Sequence, residues 1–300
     1  MIRLYKEEKG AVTLLVAFMM VVFIGITAVV IDGGHLYLKK STLQKAVDAA
    51  ALAGAQELPT NYQRAIKEAN STLEKNNVRT SDVNITFSNN HTMINVSVIK
   101  TVPLFYGGFL GYENVDVKAD GTVQLQTLTS ANGTVPLGVK NDTDLSFGDT
   151  AYLKVGDSTI GNFGALALTG TGASNFEADL KEGYKHEVFV GEKLGTQTGN
   201  IVGPTQRAIE DRIKRCPMKD ATYTNHPSVC PRIVSIPVFE PVKTERNQIR
   251  EVKVIGFASF FIEGMDGNDV VVGRFIENTV AGSMDPTAEN FGTYSFKIVQ

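Results

Sequence analysis

The sequence lacks the short motifs that mark the common classes of enzyme. It contains no Gly-x-Ser-x-Gly nucleophile elbow, no His-Glu-x-x-His zinc motif and no Gly-Lys-Ser/Thr phosphate loop. The four histidines are scattered over different predicted elements, away from clusters of carboxylates: His35, His91, His186 and His226. We therefore predict a protein that is not an enzyme, with no catalytic residues, no cofactor, no bound metal ion and no small-molecule substrate.

Charge of one sign is not in excess. The chain has 29 Lys and Arg residues against 32 Asp and Glu residues, for a formal net charge of −3. Proteins that bind nucleic acid usually present a strongly basic surface. The composition therefore predicts no nucleic-acid partner.

Cysteine is scarce, and a proline-rich loop separates Cys216 from Cys230, the two that occur. An even number of closely spaced cysteines predicts a disulfide, which the chain-entropy model values at roughly 3 kcal/mol for a loop of this length. Disulfides persist outside the cytosol, so this pair would place its domain there. A thiol nucleophile with His226, or a metal pair, is the alternative, although the spacing fits no zinc template.

Apolar residues, in contrast, are abundant near the start of the chain. Residues 11–31 carry no ionisable side chain, and a helix of about 21 residues crosses a hydrocarbon core of about 30 Å. A cleaved signal peptide is the alternative, but its apolar core is usually about 7–15 residues long. We predict an uncleaved anchor, with Asp32 and Tyr37 at the membrane boundary, because a carboxylate is costly inside lipid. Lysines flank the run on both sides, so their count leaves the orientation open.

A second helical segment, residues 36–58, follows the apolar run directly, and Pro59 ends it. It carries a ridge of small side chains, which would let a second helix approach closely. We predict that this ridge and two polar residues beside it contact a partner helix: Gln44, Ala46, Asp48, Ala49, Ala50, Ala53 and Gly54. The alternative is that the segment packs on its own domain.

The hydrophobic period changes from 3.6 to 2 further along the chain. An amphipathic helix is predicted over residues 62–75 and a β-hairpin over residues 83–98. The apolar residues 101–112 are too few and too glycine-rich to span a bilayer, so they predict a short helix packed on the hairpin. A third strand is predicted over residues 115–125, interrupted by a turn at Asp120-Gly121.

A short polar segment at residues 128–134 predicts a domain boundary. Strand patterns follow one another beyond it, and one helix is predicted among them, ending at Cys216. Thr205 is its predicted N-cap, or else Pro204 lies in its first turn. The glycine-containing residues 169–175 predict a turn.

Together these elements predict an α+β protein with a single N-terminal transmembrane helix, a small juxtamembrane α+β domain and a β-rich outer domain. The predicted parts are a cytoplasmic tail and anchor helix at residues 1–34, a juxtamembrane helical extension with a small α+β domain at 35–127, a linker at 128–134 and a β-rich extracytoplasmic domain at 135–300. The anchor makes the cell membrane the expected location and the lipid bilayer an expected partner.

The N-terminal residues also follow a family pattern. Gly10 precedes the apolar run, Asp32 and Gly34 lie at its end, Tyr37 follows, and the run LQKAVDAAALAGA occupies residues 43–55. This pattern resembles the TadE/TadG-like group of Tad (tight adherence) pilus-assembly proteins, and the second half of the chain is similar to TadG-like members. The resemblance implies a bitopic envelope protein that serves the assembly of adhesive Flp-type pili. It also implies that the N-terminal helix binds other pilus-assembly or pilin-like proteins.

One position departs from the pilin-like members of that group. They are cut after a glycine and carry a glutamate five residues beyond it, whereas the residue five beyond Gly10 is Leu15. A charge pair buried in lipid needs both partners, so the departure favours an unprocessed assembly scaffold or pilus-associated surface subunit. Two other classes stay open: a membrane-tethered exported hydrolase, and a cell-surface adhesin or wall-binding module.

Overall fold

The computed structural model describes residues 9–58, 61–89, 91–143, 145, 147–154, 163–197, 201–227, 229–245 and 248–299. A long apolar helix leads into a body of helices and strands, which confirms the predicted α+β class. The helices are α1 (Lys9–Ala55), α2 (Tyr62–Lys75), α3 (Ala173–Glu182) and α4 (Val202–Arg215). The strands are β1 (Val83–Ser88), β2 (Met93–Pro103), β3 (Asn114–Thr127), β4 (Ser130–Ala131), β5 (Leu137–Lys140), β6 (Thr150–Lys154), β7 (Phe163–Ala167), β8 (Val188–Phe189), β9 (Lys193–Thr196), β10 (Ile233–Glu245), β11 (Gln248–Asp266), β12 (Val270–Ile276), β13 (Asn278–Thr279) and β14 (Thr293–Val299).

Helix α1 joins the predicted anchor and the predicted juxtamembrane helix into one rod of 47 residues. Its second half is rich in alanine, a good helix former, and no proline interrupts the helix before Pro59. At 1.5 Å per residue the rod is about 70 Å long. The apolar half of α1 therefore continues as one unbroken helix into the half that packs in the folded body.

A five-stranded sheet packs against the second half of α1, in the order β1-β2-β3-β14-β13. The predicted hairpin is confirmed as β1 and β2, with Val83 opposite Val98. Helix α2 also has its predicted bounds, and the side chain of Asn61 caps it by accepting a hydrogen bond from the Arg64 amide at 2.9 Å. The side chains buried between these elements include Val47, Ala50, Ala65, Ala69, Leu73, Ile94 and Val96.

Strand β3 runs unbroken through the position where a turn was predicted. Asp120 pairs with Ser97 and Gly121 pairs with Val96 in the β2–β3 ladder. A Cβ atom on Gly121 would lie 3.0 Å from the backbone nitrogen of Asp48, so the missing side chain lets α1 approach the strand closely. The prediction of a turn was wrong because this glycine marks a contact with a helix.

Residues 137–276 are here called the outer body. Its main sheet has the strand order β10-β5-β7-β9-β11-β12-β6, and its strand β8 pairs with β4 in a separate two-stranded sheet. Strand β10 also pairs with β11, so that β10, β5, β7, β9 and β11 close into a ring. Helices α3 and α4 pack on each other, and α4 packs on β11. The phenylalanines in this body with an exposed fraction of 2% or less are Phe176, Phe239, Phe257, Phe260, Phe261 and Phe275.

The described part of the outer body contains two helices where one was predicted. Helix α3 begins inside the segment predicted as a turn, directly after Gly172, whose φ of 132° suits glycine. Its short length hid the helical period. Helix α4 begins at Val202, and Thr205 lies inside it with its hydroxyl donating to the Ile201 carbonyl at 2.7 Å, so Thr205 is not the N-cap.

The last strand of the chain crosses the predicted domain boundary. Strand β14 pairs antiparallel with β3, with Tyr294 opposite Thr127. Within the segment predicted as a linker, residues 128–134, Ser130 and Ala131 are fully buried and form β4. The boundary therefore does not fully separate the two sheets, because the C-terminal strand belongs to the first one.

Candidate functional site

The first half of α1 presents apolar side chains to its surroundings on all sides. Between Val12 and Ile31 the large hydrophobic side chains are 40–76% exposed. The helix is long and apolar enough to cross a membrane, and the body of the chain covers none of its most apolar window. A surface of this extent far exceeds the apolar patches of soluble proteins, whereas lipid tails solvate it well.

The carboxylate of Asp32, at the end of this apolar half, is seated in a loop of the first sheet. It accepts three backbone hydrogen bonds, from Phe105 at 2.8 Å, Tyr106 at 3.0 Å and Gly107 at 2.8 Å. Asp32 is consequently only 8% exposed. The ring of His35, one turn further along α1, meets the Phe105 ring edge to face with centroids 4.8 Å apart. The loop joining β2 to β3 contains a short 3-10 helix at Gly107–Leu110, as the sequence predicted. The predicted packing on the hairpin was wrong, because these contacts fix the loop against α1.

The β2–β3 hairpin lies along α1 in a defined register. Lys40 Nζ donates to the carbonyl of Lys118, and Gln44 Nε2 donates to the carbonyl of Asp120 at 2.6 Å. Asp48 follows one turn later, over Gly121. Strand β3 and α1 therefore run in the same direction side by side. The loop that precedes β3 accordingly lies beside an earlier part of α1, at Asp32.

Cys216 and Cys230 form a disulfide, which closes the loop between α4 and β10. Both residues are buried beside Phe261 and Ile276. Because the bond uses both sulfur atoms, neither can act as a nucleophile or a metal ligand while it is intact. The guanidinium of Arg232, two residues after Cys230, stacks over the Phe261 ring at 4.5 Å.

A cleft of about 340 Å³ lies where the first sheet and helices meet the outer body. Its polar lining includes an ion pair between Arg64 Nε and Glu57 Oε2 at 3.2 Å. Across it lie His226 and Glu277, and the His226 carbonyl accepts a hydrogen bond from Arg64 at 3.4 Å. In the described part of the chain, no three His, Cys, Asp or Glu side chains are grouped so that they could hold a metal ion.

Partial burial shifts the pKa of two carboxyl groups and one imidazole in this cleft towards their neutral forms. Burial raises the pKa of Glu57, against the opposing effect of Arg64, and it raises the pKa of Glu277. Burial also lowers the pKa of His226. Glu57, Glu277 and His226 are therefore each harder to charge in this cleft than in water.

The apolar half of α1, Asp32 and the packed second half of α1 all lie in one stretch of sequence that matches a known family. Residues 10–57 match the model of the Tad family. That family is described as putative Flp pilus-assembly TadE/G-like. The matched stretch is here called the Tad segment. It covers α1 from its second residue and the turn after it, and it is a small part of the 300-residue chain. No curated protein and no solved structure matches the chain significantly.

Several residues of the Tad segment that were predicted to contact a partner helix are covered by the chain itself. Ala46 is 1% exposed and Ala50 is fully buried. Gly54 is buried too, where a Cβ atom would lie 2.6 Å from Ile94 Cδ1 and 3.1 Å from the Ala65 carbonyl. The small side chains do allow close approach, but the neighbours are α2 and the sheet of the same chain. For these three residues the partner contact is therefore corrected to an internal one.

The other predicted contact residues lie towards the edge of that packed face. Gln44 and Asp48 are half-buried, with Gln44 Nε2 donating to Asp48 Oδ1 at 3.0 Å, and both contact β3. Ala49 and Ala53 are half-buried and remain partly open to a partner. Tyr37 is 73% exposed, just beyond Asp32.

Arg212 is a structural residue that the sequence analysis missed. Its buried guanidinium donates to the carbonyls of Leu180 and Pro231, which ties α4 to α3 and to the segment after the disulfide. Burial lowers the pKa of Arg212 to about 10. In the sequence it is one of several basic residues near the end of a helix, and nothing local distinguishes it from Lys214 or Arg215.

Proposed function

We propose that this chain is a membrane-anchored component of Flp/Tad-type pilus assembly, of the TadG-like kind, that acts without enzymatic chemistry. The observation that carries the proposal is the family match over residues 10–57. The fold supports it, because the matched residues form the rod that couples an apolar span to a folded body. In this proposal α1 crosses the cell membrane and the body lies outside the cytoplasm, where the Cys216–Cys230 bond can form.

The proposed role is that of an assembly scaffold or of a subunit at the pilus surface. Deleting the gene should abolish surface Flp pili, and the wild-type chain supplied from a plasmid should restore them. Pili counted by electron microscopy measure the effect. Normal pili in the deletion strain would contradict the proposal. Antibody labelling of sheared pili then separates the two roles, because only a structural subunit would remain on the fibres.

The proposed location can be tested without reference to pili. A protease added to intact cells, or to spheroplasts if an outer membrane shields the body, should degrade the body and leave a small membrane-bound fragment. Degradation only after the inner membrane is broken would place the body in the cytosol. That result would contradict the location, even for a chain that is needed for assembly.

The partner surface left open by the fold is the edge of α1 that carries Ala49 and Ala53. We propose that another pilus-assembly or pilin-like helix packs there. An A49L/A53L variant should lose partners that co-purify with the wild-type chain after cross-linking, whereas Gln63→Leu, on an exposed position of α2, should keep them. Equal recovery of partners with both variants would contradict this contact.

The hydrolase alternative can be tested at the cleft where the first sheet and helices meet the outer body. Its lining includes Glu57, His226 and Glu277, groups of the kind that hydrolases use for acid–base chemistry. The non-enzymatic proposal expects an H226A/E277Q variant that folds normally to restore wild-type numbers of pili. A folded variant without pili would instead favour chemistry in the cleft.

A further inference from the structure

We propose that residues 104–112, the tip of the β2–β3 hairpin, enter the head-group region of the same bilayer that α1 crosses. This hairpin tip would be a second, interfacial attachment of the body to the membrane. The inference rests on the anchor role given to α1 under the proposed function, but it does not depend on pilus assembly. The leaflet that the hairpin tip would enter is the one that faces the folded body, whether that side is the cytoplasm or the cell exterior.

The hairpin tip exposes aromatic rings that the fold leaves uncovered. The exposed fractions are 64% for Phe105, 90% for Phe109 and 68% for Tyr112, with Tyr106 at 39%. No charged residue occurs between Lys100 and Glu113, so the tip can enter a head-group layer without stripping water from a charge. Aromatic rings concentrate at this level of membrane proteins because they are apolar with, in tyrosine, one polar end.

The hydrogen bonds between the hairpin tip and Asp32 indicate how deep the tip lies in the membrane. Asp32 is the first residue after the apolar run, and its carboxylate holds the amides of residues 105–107. In an α-helix the Cα–Cβ bond tilts towards the N-terminus. The side chain of Asp32 therefore leans back towards the bilayer, and the backbone bound to it lies level with the end of the span.

The register of the hairpin gives the same depth independently. The contacts of β3 with Lys40, Gln44 and Asp48 show that β3, followed back towards its N-terminal end, approaches the apolar half of α1. The hairpin tip is consequently the part of the body nearest to the hydrophobic span in this register. Gly107 allows the tip to close tightly, since a Cβ atom there would lie 2.5 Å from the Tyr112 carbonyl.

The chain has no tryptophan, so a single introduced tryptophan can report the depth of the hairpin tip. We would place the full-length chain in phosphatidylcholine vesicles that contain lipids brominated at different acyl positions. Phe109→Trp reports the hairpin tip. Phe23→Trp, in the middle of the apolar half, reports whether α1 is inserted, and Tyr152→Trp, 54% exposed on the outer body, reports water.

The proposal expects F109W to emit at shorter wavelength than Y152W and to lose most of its fluorescence to bromines near the head group. F23W should be quenched most by bromines deep in the acyl chains, and Y152W by none. If F23W is quenched but F109W behaves like Y152W, the anchor stands and the inference fails. If neither is quenched, the anchor itself fails. A blue-shifted F109W that no bromine quenches would indicate contact with a second copy and would also overturn the inference.

Discussion

The carboxylate of Asp32 accepts a hydrogen bond from the backbone amide of Gly107 at 2.8 Å, across 75 residues of sequence. This contact is buried, and two more amides share the same carboxylate. A residue that in the sequence reads as the end of a membrane span is therefore also the point where the folded body is fastened to the rod. The position of the β2–β3 loop on α1 depends on it.

Replacing Asp32 by alanine should release the loop from α1. The change leaves three backbone donors without their acceptor, and each buried unsatisfied group costs about 1–3 kcal/mol before water reaches it. We expect the amides of residues 105–107 to exchange with deuterium at least tenfold faster, while the amides of β2 stay protected. Asp116→Asn, on the exposed face of β3, is the matched control. Unchanged exchange in D32A would show that the carboxylate does not hold the loop.

Enlarging the buried small residues of the Tad segment should destabilise the protein itself, whether or not a partner is present. Ala50 is fully buried, and overpacking of this kind costs about 1–3 kcal/mol. Ala50→Leu should therefore lower the urea midpoint of unfolding of the purified chain, whereas Ala49→Leu, at a half-buried position, should change it little. Equal midpoints for the two variants would mean that the internal packing of α1 is not as described.

The sequence predicted those elements whose signal is local. The 3.6-residue period suffices for α2, and strict alternation suffices for β1 and β2. The Asp120-Gly121 pair misled because the same dipeptide that makes a tight turn also makes room for a helix. Which of these applies depends on Asp48, far away in the chain.

Long-range contacts account for what the sequence did not predict. The alternation in β14 identifies a strand, but no local property of Tyr294 or its neighbours says that the partner is β3 rather than the outer sheet. The seat of Asp32 and the buried role of Arg212 depend in the same way on distant backbone groups. The small-residue ridge of α1 does make a close contact, but the predicted neighbour, a partner helix, was wrong for Ala46, Ala50 and Gly54.

Removing the disulfide should weaken the outer body. A C216S/C230S variant loses a cross-link between residues 14 apart, which the chain-entropy model values at about 3 kcal/mol. Urea unfolding of the variant should match that of the wild-type chain under reducing conditions, with both midpoints well below that of the oxidised wild type. If a reducing agent left the wild-type midpoint unchanged, the bond would not contribute to stability in solution.

Substituting Arg212 should destabilise the contact between α3 and α4. Methionine keeps most of the volume but leaves the carbonyls of Leu180 and Pro231 without their donor, and we expect a loss of about 2–3 kcal/mol from the free energy of unfolding. Arg207 lies on the same helix and pairs with Glu177 at the surface, so Arg207→Met should change stability little. If both variants lost a similar free energy of unfolding, the buried hydrogen bonds of Arg212 would add no more stability than the surface pair of Arg207.

The stability of the junction between the two bodies should depend on pH through Glu277. Burial raises the pKa of Glu277 above its usual value of 4.5, so the folded state holds the proton more tightly than the unfolded state. The corresponding stabilisation is complete below pH 4.5 and is lost as the pH rises through the raised pKa. Glutamine cannot ionise, so Glu277→Gln should escape this loss. The melting temperature of E277Q minus that of the wild type should therefore be higher at pH 7 than at pH 4.

Glu245 provides a control of opposite sign. A hydrogen bond from Lys243 lowers the pKa of Glu245, so its contribution to stability is present above its usual pKa and is lost as the pH falls. Relative to the wild type, Glu245→Gln should therefore be less stable at pH 7, and the difference should shrink towards pH 4. The effect should be small, because the pair is exposed and screened by solvent. If the E277Q difference followed the same direction with pH as the E245Q difference, Glu277 would be stabilised as a charged group, and burial would not control its ionisation.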